Sequence, residues 1–211
     1  MNTIDSPQTD GSDHWDEAYV RKGESGVSWF EETPTVSLHL IAGLPGPKDS
    51  LIDVGGGASH LAAHALRLGF DHVAVLDLSA VAIARSKAAM GSDADRIEWI
   101  VSDVTDWQPA RRYDVWHDRA AFHFLTEETD RIAYVARLDA ALSDGGHAII
   151  ATFALDGPER CSGLPVRRYS HDTLAETLGP RFKLLKGALH EHRTPWGSTQ
   201  AFQFSVLARA P

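Results

Sequence analysis

Four aspartates close four successive short apolar runs. Asp53 ends Leu51-Ile52-Asp53-Val54 and is followed by Gly55-Gly56-Gly57-Ala58-Ser59. Asp77 ends Val75-Leu76-Asp77-Leu78-Ser79, Asp103 lies in Val101-Ser102-Asp103-Val104, and Asp118 lies in Tyr113-Asp114-Val115-Trp116-His117-Asp118-Arg119. A glycine-rich bend between a strand and a helix lets the backbone approach a ligand closely. This one is not a phosphate loop, because no Gly-Lys-Ser/Thr follows. Nor is it the dinucleotide pattern, since His60 stands where the third glycine would fall. A carboxylate at position 53 would repel a pyrophosphate, whereas it attracts the positive end of an amino-acid-bearing nucleoside. Asp77 stands roughly 20 residues further on, where an acid accepts hydrogen bonds from ribose hydroxyls. Asp103 suits an exocyclic amino group, and Val104 can lie against a purine face. Asp118 with Arg119 ends the fourth run in a charged pair. Ligands of open α/β sheets collect at the carboxyl ends of the strands near the topological switch, so all four acids are expected around one crevice.

The elements that must position them follow from periodicity. Apolar runs of strand length, Ser50–Val54, His72–Leu78, Ile97–Val101, Tyr113–His117 and His147–Phe153, alternate with segments of helical period. Leu61, Ala65 and Leu68 share a helical face that ends at Gly69. Ser79 caps a helix reaching Met90 and Gly91, Thr126 caps one with Glu127, Glu128 and Asp130 in its first turn, and Ser170 caps a last one to Leu178. Strand alternating with helix predicts an α/β fold, a doubly wound and mostly parallel sheet. Two final runs, Phe182–His190 and Ala201–Ala208, flank Pro195-Trp196-Gly197-Ser198 and predict a hairpin that places an antiparallel strand at the sheet edge. Residues 1–12 are expected to be a flexible tail, 13–49 a helical cap with short helices after Asp13 and Pro34, and 50–211 the main domain.

Composition narrows the class of function. The chain has 211 residues, 43% apolar, with a formal charge of −9, which suits a soluble enzyme-sized domain and works against phosphate-backbone binding, so no nucleic-acid partner is expected. No apolar run approaches the length of a membrane span, so no membrane partner is expected either. Cys161 is the single cysteine, and no signal-peptide pattern precedes the fold, so the expected compartment is the cytoplasm. His60 and His64 stand at i, i+4 without an evident third ligand, and His190 and His192 share one strand face that reads as solvated, so no metal is expected. Arg167-Arg168-Tyr169 is a short basic patch.

Taken together, Asp53-Val54-Gly55-Gly56-Gly57, the acid at Asp77, Ser102-Asp103-Val104 and Asp144-Gly145-Gly146 resemble the class I S-adenosylmethionine-dependent methyltransferases over roughly residues 13–209. The resemblance implies a Rossmann-like sheet of seven strands with one antiparallel strand near the C-terminal edge. It implies that S-adenosylmethionine binds with its methionine part near Asp53 and Gly55, Gly56 and Gly57, its ribose on Asp77 beside Leu78, and its adenine against Ser102, Asp103 and Val104, with Asp118 at the same crevice. His14-Trp15-Asp16-Glu17-Ala18-Tyr19 and Val27-Ser28-Trp29-Phe30 are similar to the N-terminal cap of small bacterial methyltransferases and of protein lysine methyltransferases, which implies that Trp15, Tyr19 and Trp29 close over the cofactor. Trp116-His117-Asp118-Arg119-Ala120-Ala121 is similar to a Trp-Asp-Arg-Gly-Ala stretch of thiopurine methyltransferases, with Ala120 in place of the glycine.

The chemistry so implied is in-line methyl transfer, in which alignment and exclusion of water matter most. Arg119, placed to orient an anionic acceptor or steady a thiolate, and His123, able to take a proton, are the candidate catalytic residues. The expected acceptor is a soft or small molecule such as a thiol. A protein lysine is the second expectation, and a noncatalytic nucleoside-binding module is the third.

Overall fold

The computed structural model describes residues 11–22 and 26–210. The expected tail therefore lies outside the described residues up to position 10. Gly11 and Ser12 already belong to helix α1 (Gly11–Lys22), which starts two residues before Asp13. Helix α2 (Thr35–Ala42) follows Pro34 as the sequence predicts. Among the described residues no helix is long and apolar enough to cross a membrane.

The core of the fold is a seven-stranded sheet. In chain order come β1 (Ser50–Val54), α3 (Leu61–Arg67), β2 (His72–Asp77), α4 (Ala80–Met90), β3 (Ile97–Val101), β4 (Tyr113–Arg119), α5 (Glu128–Ala141) and β5 (Leu142–Phe153). A two-residue ladder, β6 (Arg160–Cys161) with β7 (Leu164–Pro165), precedes α6 (His171–Leu178), β8 (Phe182–Arg193) and β9 (Thr199–Arg209). The strand order is β3-β2-β1-β4-β5-β9-β8. The first five strands pair in parallel. β9 runs antiparallel to both β5 and β8, so the inverted strand sits one place in from the edge and β8 forms the edge itself. The chain moves outward from β1 to β3 and then returns to the other side of β1 as β4. That reversal opens the crevice beyond the carboxyl ends of β1 and β4.

β1 is buried at all five positions because helices cover both faces of the sheet. Strand alternation sorts the core into two layers. Leu51, Val73, Val75, Val115 and Ile149 pack with Leu40, Ile41 and Leu61 on the α2/α3 side. Ile52, Ala74, Leu76, Trp116 and Ile150 pack with Tyr134, Leu138 and Leu174 on the α5/α6 side. Ser79 caps α4 by accepting the Ala82 N–H at 3.0 Å. Ser170 forms a reciprocal capping box with Thr173 at the start of α6. Thr126 does not cap α5: the helix starts at Glu128 after Glu127, and the Thr126 carbonyl accepts from the Arg131 guanidinium at 2.6 Å.

The α5/α6 layer contains a buried polar chain. The Trp116 indole N–H donates to the Tyr134 oxygen at 2.9 Å, and the Tyr134 hydroxyl donates to Asp118 at 2.7 Å. Asp118 also accepts the N–H groups of Ala121 at 2.8 Å and Phe122 at 3.1 Å. It thereby shapes the bend that leaves β4. Burial pushes its carboxyl up to about 6 although the Tyr134 hydroxyl and the two amides pull it down. Tyr134→Phe should leave one carboxylate oxygen short of a donor and lower stability by about 1–3 kcal/mol. Urea unfolding at pH 7 measures this, and a variant as stable as the parent would refute the assignment.

Candidate functional site

A hollow opens at the crevice between the ends of β1, β2, β3 and β4. Its floor and walls are Val54, Gly55, Leu76, Asp77, Leu78, Ser102, Asp103, Val104, Ala120 and Ala121. Trp15, Tyr19 and Trp29 border it from the N-terminal segment, and Arg119, Phe124, Leu125 and Cys161 line the remaining side. A second, smaller hollow adjoins it, lined by Asp53, Gly55, Gly56, Ser37, His117, Glu31, Arg119, Tyr19 and Trp29 among others.

Asp77 is the junction of the first hollow. Its two carboxylate oxygens accept the Gly57 N–H at 2.8 Å and the Ser79 N–H at 2.7 Å, which joins the glycine bend to the start of α4. Burial lifts its carboxyl to about 6 against those two amides, with Asp53 and Asp16 adding to the rise. The bend needs glycine here: a Cβ on Gly57 would lie 2.6 Å from an Asp77 oxygen, and one on Gly56 would lie 2.4 Å from an Asp53 oxygen. Asp103 holds its own turn by accepting the N–H and hydroxyl of Thr105 at 2.8 and 2.7 Å.

Asp53 sits one layer deeper. Its Oδ1 lies 2.6 Å from His117 Nδ1, and His117 Nε2 lies 2.9 Å from the Ser37 hydroxyl. With Nδ1–H donating to the carboxylate, Nε2 accepts the serine O–H. The other carboxylate oxygen, Oδ2, is buried with no hydrogen-bond partner among the described residues. A buried anionic oxygen of this kind calls for a donor from a bound molecule.

The aromatic border is fixed from both ends. Asp16, one residue after Trp15, accepts the Ser79 hydroxyl and, at 3.2 Å, the Val81 N–H, so α1 is fastened to the N-terminus of α4. Arg119 anchors the segment around Trp29: its guanidinium pairs with Glu31 at 3.1 Å and donates to the Trp29 carbonyl. Trp15 packs edge-on against Trp29 and Phe124, with ring centroids 5.8 and 4.9 Å apart.

Twelve sequence-predicted residues border one or both hollows: Trp15, Tyr19, Trp29, Gly55, Asp77, Leu78, Ser102, Asp103, Val104 and Arg119 the first, and Asp53 and Gly56 the second. Gly56 lines the second hollow, while Gly57 shapes the first through Asp77. Two expectations are corrected. Asp118 faces the α5/α6 layer with Trp116, two residues earlier, so it shapes the protein behind the crevice instead of contacting a ligand. His123 is 0% exposed, packed between Phe124 and Phe153, and burial drives its imidazole down to about 3. It cannot exchange a proton with an acceptor in the hollow. Residues not predicted for the site from the sequence are His117 and Ser37 behind Asp53, Asp16 behind Trp15, Glu31 on Arg119, and Phe124 in the wall, together with Cys161, which was noted only as the single cysteine. His117 was legible in principle, because strand alternation gives it the face of Asp53, its register neighbour.

Comparison with known proteins shows what the fold is similar to. Residues 51–146 match the family model described as a methyltransferase domain. A solved structure concerned with the conversion of a disulfide bond into a thioacetal group during echinomycin biosynthesis is 21% identical, covers 94% of this chain and 93% of that one, and superposes with a TM-score of 0.72. The 1,6-didemethyltoxoflavin-N1-methyltransferase of Burkholderia thailandensis, solved with 1,6-didemethyltoxoflavin and S-adenosylhomocysteine bound, is 19% identical over 95% of this chain and 84% of that one, with a TM-score of 0.65. A curated relative, the eEF1A lysine and N-terminal methyltransferase of Mus musculus, is 19% identical over 145 residues, 68% of this chain. The chain spans only 20% of that relative's length.

Two measurements check the geometry. Ala120, at the bend after β4, has φ +72, a left-handed conformation that costs a residue with a Cβ about 1–2 kcal/mol. Ala120→Gly should therefore raise stability by roughly 0.5 kcal/mol once the greater unfolded-state freedom of glycine is subtracted, and a lower melting temperature would contradict this. The Asp77 carboxyl should titrate with a midpoint near pH 6 by carbon NMR. Because that value lies above the ordinary 3.8, its contribution to stability is complete below 3.8 and is lost as pH rises through 6.

Proposed function

We propose that this chain is a class I S-adenosylmethionine-dependent methyltransferase whose acceptor is a small molecule with a soft nucleophile, a thiol first among the candidates. S-adenosylmethionine supplies an activated methyl group on a sulfonium sulfur when bound. The residues present fit such a donor. The Asp77 oxygens each retain a lone pair for a ribose hydroxyl beside the amides they already accept. The partnerless Asp53 Oδ2 suits an ammonium group, and Asp103 with Val104 suits the adenine edge and face.

The observation that carries the acceptor reading is the composition of the remaining wall of the first hollow. It is built of Arg119, Phe124, Leu125 and Cys161 and bordered by Trp15 and Trp29, so it is apolar apart from one guanidinium and one thiol. Such a wall excludes water and receives a polarisable acceptor. Arg119, held in place by Glu31 and the Trp29 carbonyl, brings guanidinium N–H donors to the wall, where a thiolate acceptor can take one. A thiol ionises in water with a pKa near 8.5, so roughly neutral solution provides a working fraction of thiolate without a dedicated base. This agrees with the burial of His123. The echinomycin-related structure, whose subject is sulfur chemistry, supports the same reading. The mouse relative supports a second reading, a protein lysine acceptor.

Protein incubated with methyl-labelled donor, a panel of aliphatic and aromatic thiols, and separately a lysate, distinguishes the two. Label is expected in methyl thioethers of small thiols. Label confined to protein lysines would overturn the thiol reading in favour of the second. Asp77→Ala should weaken S-adenosylhomocysteine binding by roughly 10-fold or more, the scale of two hydrogen bonds to a charged acceptor, with the circular dichroism spectrum unchanged. Unaltered affinity by calorimetry would contradict the placement of the ribose.

A further inference from the structure

Among the described residues, one cluster of metal-ligating side chains, at the margin of the second hollow, joins two distant parts of the chain. Glu31, from the segment that carries Trp29, meets His190 and His192 on β8, and one ligand atom from each residue lies within 4.8 Å of the others. We propose that Glu31, His190 and His192 bind a divalent transition-metal ion of the zinc class, which clips the N-terminal segment to the edge hairpin.

The hydrogen bonds around His192 carry the argument. His192 Nε2 lies 2.7 Å from the Ser28 carbonyl oxygen, an acceptor only, so Nε2 holds the ring proton. In the neutral ring Nδ1 is then a lone pair, yet it faces the Glu31 Oε1 carboxylate oxygen at 3.3 Å. Two lone pairs at that distance repel, so the contact is held together either by a second ring proton or by a metal cation between the two atoms. Tetrahedral zinc with bonds of about 2.0–2.1 Å places neighbouring ligand atoms roughly 3.4 Å apart, which matches the spacing found. A histidine ligand whose other ring nitrogen donates to a backbone carbonyl is also the usual second-layer arrangement at metal sites.

The surroundings hold these ligands in place. The His192 side chain is 5% exposed and Glu31 19%, and the second Glu31 oxygen is occupied by Arg119 at 3.1 Å. His192 packs edge-on against Phe202, and His190 against Phe204, from the neighbouring strand β9. His190 is partly exposed, and its ligand atom lies within 4.8 Å of those of Glu31 and His192. The fourth position is left to water or an exogenous ligand. Because Glu31 and Arg119 also line the second hollow, the ion would brace the same arginine that anchors the Trp29 segment.

Titration of the metal-free full-length protein with zinc chloride in a calorimeter, and with cobalt chloride followed by visible absorption, tests the proposal without reference to activity. One saturable site is expected, with a cobalt ligand-field band and an upward shift in melting temperature. His190→Ala, at a partly exposed position that the fold tolerates, should weaken zinc binding by at least the roughly 10-fold that loss of even an outer-layer partner costs. His192→Gln should abolish the cobalt band. Absence of a saturable site overturns the proposal and leaves a protonated His192 paired with Glu31. Affinity unchanged in both variants also overturns it, since the ion would then bind elsewhere.

Discussion

Two backbone amides, those of Gly57 and Ser79, converge on the oxygens of the buried Asp77 carboxylate, and the shape of the crevice follows from that convergence. The carboxylate gains two charge-assisted hydrogen bonds in a dry environment, which offsets part of the cost of burying it. In return it draws the bend after β1 and the start of α4 to one point. The bend must be free of Cβ atoms to come so close, so the glycines and the acid are one device. Ser79 extends the device outward by receiving α1 through Asp16 while capping α4 with the same hydroxyl oxygen.

The roof obeys a similar economy of charge. Arg119 leaves the end of β4 toward the crevice, and its charge is matched by Glu31 from the segment it anchors. A guanidinium with a rigid fork can bind a carboxylate and a carbonyl together, which a lysine in its place could not do with the same geometry. The aromatic residues Trp15, Trp29 and Phe124 then pack among themselves, so their positions follow from two polar attachments at separate ends.

The fold was legible because its signals are local. Strand-length apolar runs, the Ser79 and Ser170 caps, and the bend glycines are all read within a few residues, whereas the seven-stranded sheet was implied by the family resemblance and its order is set by long-range pairing. The acids of the crevice were legible for the same reason: each follows a strand. Asp118 shows the limit of that rule. Being at a strand end does not say which face a side chain takes, and counting by twos from Trp116 or from Asp53 through its neighbour His117 would have sent it to the far layer. His123 failed differently, since only the closure of β5 and its neighbours over it removes it from water. Ser37, Glu31 and His192 act across separations of 80 to 161 residues, and no local pattern announces such pairings.

The distribution of indoles in this molecule has an optical consequence. Trp116 is wholly enclosed and hydrogen-bonded to Tyr134, whereas Trp15 and Trp29 stand at the rim of the crevice, edge to face. A guest that stacks beneath the rim alters the polarity around two of the six indoles while leaving Trp116 untouched. The protein is thereby equipped to signal its own occupancy by emission, against an internal reference that does not change.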